Sequence, residues 1–419
     1  MKFKIITLGC KVNTYESNVM RDSLLNNGYI EDDNADIFII NTCTVTNTSD
    51  NKSLKEFRKV KRDYPNSIII ICGCMSQVRA NIEEIDADII LGNKYKSDVV
   101  SYINEFIKTK EKIIKIDNIM EAPFEKMQLN NFNRTRAFVK IEDGCENFCS
   151  YCIIPYARGK VRSKLPKDVI EEINTLVNNG HREVVLTGIH TGHYGSDLDN
   201  YNFAMLLKEL VKIEKLERLR ISSIEITELD EEVLEVLKYN KKIVSHLHIP
   251  LQSGSDEILK LMNRKYDKKY FIDKIEEIRS IRPDINITTD IIVGFPGETE
   301  ELFNEMLDTV DKIRFSKIHV FPFSLRKGTK AEELPNHLDE VTKKERVKIL
   351  MSKSQELEIE YMSKYIDKEI EFIPEVCRNN ELIGHTGNYL LVKSKGEESD
   401  LHKPLKGKVK KIEYPYVII

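Results

Sequence analysis

The sequence predicts an α/β protein of three domains: an N-terminal doubly wound parallel sheet, a central open (β/α)6 partial barrel and a small C-terminal antiparallel β-barrel. Three observations support this prediction. The 419 residues exceed what one hydrophobic core covers. Apolar β-branched runs alternate with helical segments in two successive series, which indicates parallel sheets. The end of the chain has short strand-like runs separated by glycines. We place the domains at residues 1–130, 131–355 and 356–419.

The first series contains four nearly all-apolar runs, as expected for strands buried on both faces. Segments with helical composition and periodicity separate them. The predicted strands are Phe3–Leu8, Asp36–Ile40, Ser67–Ile71 and Asp88–Leu91, and the predicted helices are Tyr15–Asn27, Thr48–Lys61 and Gln77–Ile85. The polar segment 121–136 is the expected linker to the second domain.

The second series has six strand–helix units, which predicts a partial barrel with reactive groups at the carboxyl ends of its strands. Its predicted strands are Ala137–Ile141, Glu183–Thr187, Arg218–Ser222, His246–Pro250, Asn286–Val293 and Ser316–Phe321. A long charged helix over Val341–Tyr365 leads to the tail. The tail strands are expected at Glu369–Ile373, Tyr389–Lys393, Gly407–Ile412 and Tyr416–Ile419, with turns at Gly384, Gly387 and Gly396.

Composition limits the classes of function. The net charge of −4 argues against nucleic-acid binding by overall charge, although a local basic face stays compatible with it. No apolar run reaches the roughly 20 residues of a membrane span. The residues from Met1 to Leu8 lack the features of a signal peptide, so we expect a cytoplasmic protein.

Three of the eight cysteines, Cys145, Cys149 and Cys152, follow the first barrel strand with C-x₃-C-x₂-C spacing. A short loop of this kind directs three thiolates at one point, which suits an iron–sulfur cluster that keeps one iron without a protein ligand. A structural zinc site needs four ligands, and a distant fourth ligand would keep that alternative open. A ferredoxin-type site would need a fourth cysteine, and none follows nearby.

Cys10, Cys43 and Cys74 each follow a strand of the first predicted sheet. Because parallel strands end at one edge of a sheet, three thiols distant in sequence can meet there. A single such cysteine is more often a small buried apolar residue, but three in this pattern favour a second cluster site. We expect Cys72 to pack inside the sheet and Cys377 to be structural.

At the other barrel strand ends stand Thr187-Gly-Ile-His190, Ser222-Ser223, Pro250-Leu-Gln-Ser-Gly254 and Val293-Gly-Phe-Pro-Gly-Glu298. Together with the cysteine loop they resemble the radical S-adenosylmethionine (SAM) enzymes. The resemblance implies a 4Fe–4S cluster whose open iron binds SAM, and a 5′-deoxyadenosyl radical formed from it. From the resemblance and their strand-end positions, the expected cofactor-binding residues are Tyr151, Gly188, Ser222, Gln252, Arg264 and Gly294, with Cys145, Cys149 and Cys152 catalytic.

Two three-cysteine sites in this order resemble the methylthiotransferase family, which joins a radical SAM barrel to an N-terminal auxiliary-cluster domain and a C-terminal TRAM barrel. The resemblance implies two 4Fe–4S clusters. The segments Gly9-Cys-Lys-Val-Asn13, Leu186-Thr-Gly-Ile-His-Thr-Gly192 and His246-Leu-His-Ile-Pro-Leu-Gln-Ser-Gly254 are similar to the subgroup that acts on N6-threonylcarbamoyladenosine beside the tRNA anticodon. The alternatives are the subgroups acting on N6-isopentenyladenosine in tRNA and on a ribosomal-protein aspartate.

The resemblance makes the anticodon stem-loop of tRNA the expected partner, with flavodoxin or ferredoxin as an electron donor. Four lysines of the tail form a positive strip: Lys403, Lys406, Lys408 and Lys410. We expect this strip to contact RNA phosphates, and the alternative is that it protects an edge strand. Two other classes stay open from the residues alone. A non-catalytic electron carrier would not cleave SAM, and a zinc-binding RNA module would purify with zinc and without iron.

Overall fold

The computed structural model describes residues 1–419. The first region is a six-stranded parallel sheet with the spatial order β2-β1-β3-β4-β5-β6. Its elements are β1 Lys2–Thr7, α1 Lys11–Asn26, β2 Ile30–Glu31, β3 Ile37–Thr42, α2 Asn47–Asp63, β4 Ile68–Gly73, α3 Cys74–Val78, β5 Ile89–Leu91, α4 Val99–Thr109 and β6 Ile113–Lys115. α1 and α4 pack on one face of the sheet, and α2 and α3 pack on the other. The doubly wound sheet is confirmed.

Two details of this region differ from the prediction. The helix expected over 77–85 is replaced by the short α3 and a separate single turn, Ile82–Glu84. The break begins at Arg79, which is extended with ψ +123°, and includes Asn81, whose φ of +55° is left-handed and cannot continue an α-helix. Strands β2 and β6 and helix α4 were also not predicted, and β2 and β6 extend the expected four-stranded sheet by one strand at each edge.

The central region is a partial barrel of six parallel strands in the order β7-β10-β11-β12-β13-β14, with single bridges joining its two halves. Its elements are β7 Arg136–Lys140, β8 Glu142–Asp143, α5 Ile154–Arg158, β9 Arg162–Ser163, α6 Pro166–Asn178, β10 Glu183–Thr187, α7 Phe203–Leu210, β11 Arg218–Ile221, α8 Glu231–Tyr239, β12 His246–His248, α9 Asp256–Leu261, α10 Lys268–Ile281, β13 Asn286–Val293, α11 Glu300–Ile313, β14 Lys317–Pro322 and α12 Glu340–Ser363. The predicted partial barrel is confirmed.

Strand β11 sends apolar side chains outward to the helices and polar side chains inward. Its Leu219 and Ile221 belong to the core between strands and helices. Because side chains alternate along a strand, Arg218 and Arg220 point the other way, into the barrel. This strand therefore gives the barrel interior a polar side that can face a polar ligand.

The tail forms a curled six-stranded sheet with the order β18-β15-β16-β17-β20-β19. Its strands are β15 Glu369–Arg378, β16 Glu381–Thr386, β17 Leu391–Lys395, β18 Leu405–Lys408, β19 Lys411–Glu413 and β20 Tyr416–Ile418. All neighbours are antiparallel except β17 and β20, which are parallel. The turn expected at Gly384 is wrong: Gly384 lies inside β16 opposite Pro374, where β15 bulges and a side chain would collide with its backbone.

The curled sheet packs against the barrel. The amide Nδ2 of Asn286 donates to the carbonyl of Asn388 at 2.6 Å, and Arg218 pairs with Glu371 at 2.8 Å. None of the helices is long and apolar enough to cross a membrane.

Candidate active site

The three cysteines of the central region lie on one tight loop after β8. The backbone N–H of Cys145 donates to Gly159 at 3.0 Å, that of Cys152 donates to Cys149 at 2.9 Å, and that of Ser150 donates to Met262 at 3.0 Å. These bonds close the loop and fasten it to the barrel. Cys145, Cys149 and Cys152 are named the loop site below.

The thiols of the loop site suit iron–sulfur ligation. Burial, followed by the charge of the neighbouring Cys149, raises the pKa of Cys152 to about 12. Burial likewise raises the pKa of Cys145, with Cys152 and Cys149 adding to the effect. The nearby backbone N–H groups of Asn147 and Ile154 act in the opposite direction and favour the thiolates, the form that binds iron.

Arg264 supplies a positive charge to the loop site. Its Nη1 lies 3.2 Å from Cys149 Sγ, and its Nη2 pairs with Glu225. A guanidinium in this position stabilises a thiolate over a thiol. The predicted cofactor residue Arg264 thus lies against the loop cysteines themselves.

Cys10, Cys43 and Cys74 meet at the carboxyl edge of the N-terminal sheet and are named the sheet site below. The order of the sheet reverses between β1 and β3, which opens a crevice at their carboxyl ends. Burial, with contributions from the adjacent sulfurs of Cys74 and Cys10, raises the pKa of Cys43 to about 11. The nearby backbone N–H groups of Asn13 and Val45 act in the opposite direction on the pKa values of Cys10 and Cys43. The donor set therefore matches that of the loop site.

Two glycines allow the sheet site to close. Gly9 has φ +96°, and a Cβ there would lie 2.8 Å from Cys43 Sγ. Gly73 has φ +103°, and a Cβ there would lie 2.5 Å from the carbonyl oxygen of Thr42. Both the left-handed backbone and the close approach require glycine.

Arg158 connects the two cysteine sites. It lies on α5, directly after the loop site, and its Nε is 3.2 Å from Cys74 Sγ in the sheet site. Its Nη1 lies 2.5 Å from Glu16 Oε1, and its Nη2 donates to Asn13 Oδ1 at 2.6 Å. The fully buried guanidinium thereby fixes the distance between a barrel helix and the N-terminal sheet.

Glu16 is the centre of a buried ionic cluster between the two domains. Its carboxylate pairs with Arg158, with Lys140 at 2.8 Å and with Lys96, and all four side chains are fully buried. Burial alone raises the pKa of Glu16, but Arg158, Lys140 and Lys96 outweigh it and hold the pKa well below its usual range. This cluster was not predicted, because a charged residue in a helix carries no local sign of burial.

The other predicted cofactor residues lie at strand ends, as expected, but their surroundings differ. Ser222 Oγ lies 3.1 Å from Thr191 Oγ1, and the backbone N–H of Gln252 donates to Asp290 at 2.9 Å. A Cβ at Gly188 would lie 2.7 Å from Glu142 Oε2, which explains the glycine there.

Tyr151 and Gly294 are packed against protein. The ring of Tyr151 lies 6.4 Å from that of Phe295, and Gly294, at φ +73°, abuts Lys343 of α12. Their roles in cofactor binding, like those of Gly188, Ser222, Gln252 and Arg264, stay predictions.

His190 ends the strand-end segment Thr187–His190 named above, but it was not predicted to be a site residue. Its Nδ1 lies 3.8 Å from Cys145 Sγ, its backbone N–H donates to Glu142 at 2.7 Å, and its other ring nitrogen pairs with Glu228. The Thr-Gly-Ile-His order after β10 is the signal that could have found it, because it places His190 at the strand end nearest the loop site.

The tail lysines are exposed, and two of them face acidic residues. Lys406 and Lys408 of β18 lie opposite Glu371 and Glu369 of β15, and β18 is an edge strand. Lys403 and Lys410 flank this strand, also exposed. RNA contact by these lysines stays a prediction.

Comparison with known proteins agrees with this geometry. Residues 139–310 match the Radical SAM superfamily, and residues 2–92 match Uncharacterized protein family UPF0004. The radical SAM methyltransferase TsrM of Kitasatospora setae has a similar structure, with a TM-score of 0.57, 15% sequence identity and coverage of 79% of this chain and 76% of TsrM. The barrel and its cysteine loop thus have the radical SAM fold, which implies a 4Fe–4S cluster and SAM as cofactors.

Relatives similar in sequence show which family of radical SAM enzymes the chain belongs to. The chain is 44% identical to the threonylcarbamoyladenosine tRNA methylthiotransferase MtaB of Bacillus subtilis, over 98% of this chain and 94% of that protein. It is 38% identical to the MtaB of Aquifex aeolicus, over 94% of this chain and 97% of that protein. It is 36% identical to a tRNA-2-methylthio-N(6)-dimethylallyladenosine synthase of Clostridium botulinum, over 96% of this chain and 92% of that protein. The chain belongs to the methylthiotransferase family of radical SAM enzymes.

Proposed function

We propose that this enzyme converts N6-threonylcarbamoyladenosine beside the tRNA anticodon to its 2-methylthio derivative, using a second 4Fe–4S cluster at the sheet site. The observation that carries the two-cluster chemistry is the direct contact of Arg158 with Cys74, which brings the sheet site next to the loop site. The similarity to enzymes named for threonylcarbamoyladenosine supports the choice of nucleoside.

In this proposal, Cys145, Cys149 and Cys152 would hold a cluster that would supply the electron for reductive cleavage of SAM, and Cys10, Cys43 and Cys74 would hold a cluster that would supply sulfur. The protein residues hold and shield the reactants. Arg264 places a positive charge beside Cys149. The polar interior of the barrel receives the nucleoside.

The buried ionic cluster around Glu16 has a mechanical role in this proposal. The sulfur donor, SAM and the substrate carbon must be held at fixed separations, because an error of about 1 Å costs much of the rate. Arg158 and Lys140 come from the barrel, whereas Glu16 and Lys96 come from the N-terminal sheet. Their ion pairs, shielded from water, fix the two domains relative to each other.

We further propose a domain division at 1–130, 131–355 and 356–419, with the curled sheet acting as a TRAM-like RNA-binding domain. Exposed Lys403 and Lys410 at its edge are the proposed phosphate contacts, together with Lys406 and Lys408. A flavodoxin or ferredoxin is the proposed electron donor, and the tRNA substrate places the enzyme in the cytoplasm.

The test uses the purified enzyme, reconstituted with iron and sulfide without oxygen and supplied with SAM and a reductant. Stem-loop RNAs carrying threonylcarbamoyladenosine, isopentenyladenosine or unmodified adenosine are incubated with it, and their nucleosides are identified by mass spectrometry. We expect a methylthio product from the first RNA alone. Product from isopentenyladenosine, with none from threonylcarbamoyladenosine, would overturn the proposed substrate and leave the reaction class intact.

A further inference from the structure

Three positively charged side chains from two domains converge inside the barrel, apart from the cysteine ligands. Arg136 begins β7, Arg220 points inward from β11, and Lys11 follows Cys10 at the start of α1. Tyr389 of the curled sheet lies beside them, with its ring centre 5.3 Å from the Arg136 guanidinium and 4.9 Å from that of Arg220. These four residues are named the cationic pocket below.

The pocket favours a negative charge. Burial raises the pKa of Tyr389, but the positive charges of Arg136, Lys11 and Arg220 outweigh it, and the pKa lies below its usual value. The phenol oxygen therefore lies where the fields of three cations add. A second anionic group entering the pocket would be stabilised by the same charges.

Arg220 has unused hydrogen-bonding capacity. Arg220 is only 2% exposed. Its Nε donates to Glu183 at 2.8 Å, whereas its Nη1 and Nη2 have no hydrogen-bond partner. Buried polar atoms are nearly always paired, so two free N–H-bearing atoms on one guanidinium indicate a missing acceptor. Their fork geometry matches the two oxygens of a carboxylate.

The charges of the pocket are also incompletely balanced. Glu183 pairs with Arg220, and Glu375 pairs with Arg136 at 3.0 Å. Lys11 forms no ion pair, and it is exposed to solvent. One positive charge is thus available to a ligand.

We propose that Lys11, Arg136 and Arg220 bind the carboxylate at the end of the threonylcarbamoyl arm of the substrate nucleoside. This inference rests on the proposed function. Lys11 is adjacent to Cys10, so a carboxylate held there keeps the modified adenine beside the sheet site. An RNA phosphate is the less suitable ligand, because the pocket lies inside the barrel, where a flipped nucleoside can enter more readily than the chain backbone.

The test compares two stem-loop RNAs that differ in one group: threonylcarbamoyladenosine, and its neutral analogue with a carboxamide in place of the carboxylate. For the unsubstituted enzyme we expect kcat/KM to be about 10- to 100-fold higher for the carboxylate, the range of a charged hydrogen-bonded contact. Equal use of the two RNAs would overturn the inference while leaving the proposed function standing. Failure to modify either RNA would overturn both.

The variants K11Q and R220Q should lose this preference, because their kcat/KM for the carboxylate RNA should fall towards that for the carboxamide RNA. R220K should retain part of the preference, because it keeps the charge and loses the fork. K108Q is the matched control, since Lys108 is an exposed lysine on α4 away from the barrel. Iron content and SAM cleavage, measured for every variant, identify damage to the clusters. An equal loss on both RNAs would assign the pocket to a phosphate and overturn the inference.

Discussion

The two cysteine sites of this enzyme have the same ligands and are built in opposite ways. Residues 145–152 form the loop site within eight consecutive positions, closed by hydrogen bonds of the loop itself. Residues 10, 43 and 74 form the sheet site, which exists only when β1, β3 and β4 are paired in register. A site formed by one short loop therefore tolerates structural changes elsewhere in the fold, whereas a site assembled by a sheet depends on the whole domain.

The largest effects should come from the ligands themselves. C149S should abolish SAM cleavage, whereas C43S should keep SAM cleavage and form no methylthio product. Each variant should lose about half of the bound iron if each site holds one cluster. Iron analysis, 5′-deoxyadenosine formation and nucleoside mass spectrometry measure the three quantities.

C377S is the control for these ligand variants, because Cys377 lies on β15 away from both sites. It should keep both activities and all of the iron. If C43S retained the full iron content, the proposal of a second cluster at the sheet site would be wrong.

The next largest effect is expected at Glu16, which joins the domains that carry the two sites. E16Q leaves Lys96, Lys140 and Arg158 buried without their common counter-ion, so the free energy of unfolding should fall by about 3–5 kcal/mol. Denaturant unfolding of the reconstituted protein measures the change. E31Q, which removes an exposed acid paired with Arg21, should leave the stability nearly unchanged, and an equal loss in both variants would contradict the role given to Glu16.

A smaller effect is expected from a substitution at Gly9, which should impair the sheet site and spare the loop site. G9A imposes a side chain at φ +96° and places its Cβ against Cys43, so it should lower the stability and the iron content of the sheet site while SAM cleavage persists. G28A is the matched control: Gly28 has φ +81° with open space around it, so only the backbone cost of about 1–2 kcal/mol should remain. If G28A lowered the iron content as much as G9A, close packing at Cys43 would not be the cause.

The smallest expected effect concerns pH and Glu125, in the segment that leads from the sheet to the barrel. Burial raises the pKa of Glu125 from about 4.5 to about 7. Between these values the unfolded chain has released the proton and the folded chain has kept it, so this residue makes stability fall as pH rises from about 4.5 to about 7. Above pH 7 its effect is constant.

E125Q should remove that dependence and raise the free energy of unfolding at pH 8 by up to about 2–3 kcal/mol, with little change at pH 4.5. The amide oxygen still accepts from the Ser97 backbone, which the carboxylate does at 2.7 Å. Unfolding curves at the two pH values test this, and an equal change at both would show that Glu125 does not titrate in this range.

Much of this architecture was predictable because its signals are local or periodic. The runs of β-branched residues gave β3, β4, β10 and β13 nearly to the residue, and the C-x₃-C-x₂-C spacing gave the loop site. The sheet site was predicted only through a rule of topology, that parallel strands end at one edge. Gly384 was misassigned because a glycine in a strand bulge looks the same in sequence as a glycine in a turn.

Strand periodicity and cysteine spacing are properties of short segments, so the sequence was enough to predict the doubly wound sheet, the partial barrel, the two groups of cysteines and the family they indicate. Which charges are buried, and which atoms they meet, depended on the tertiary structure. Arg158 reaches Cys74, and Arg220, Lys11 and Tyr389 come together, only because separate domains pack against one another. Burial and charge pairing depend on distances between residues far apart in the chain, and those distances are fixed only when the whole molecule has folded.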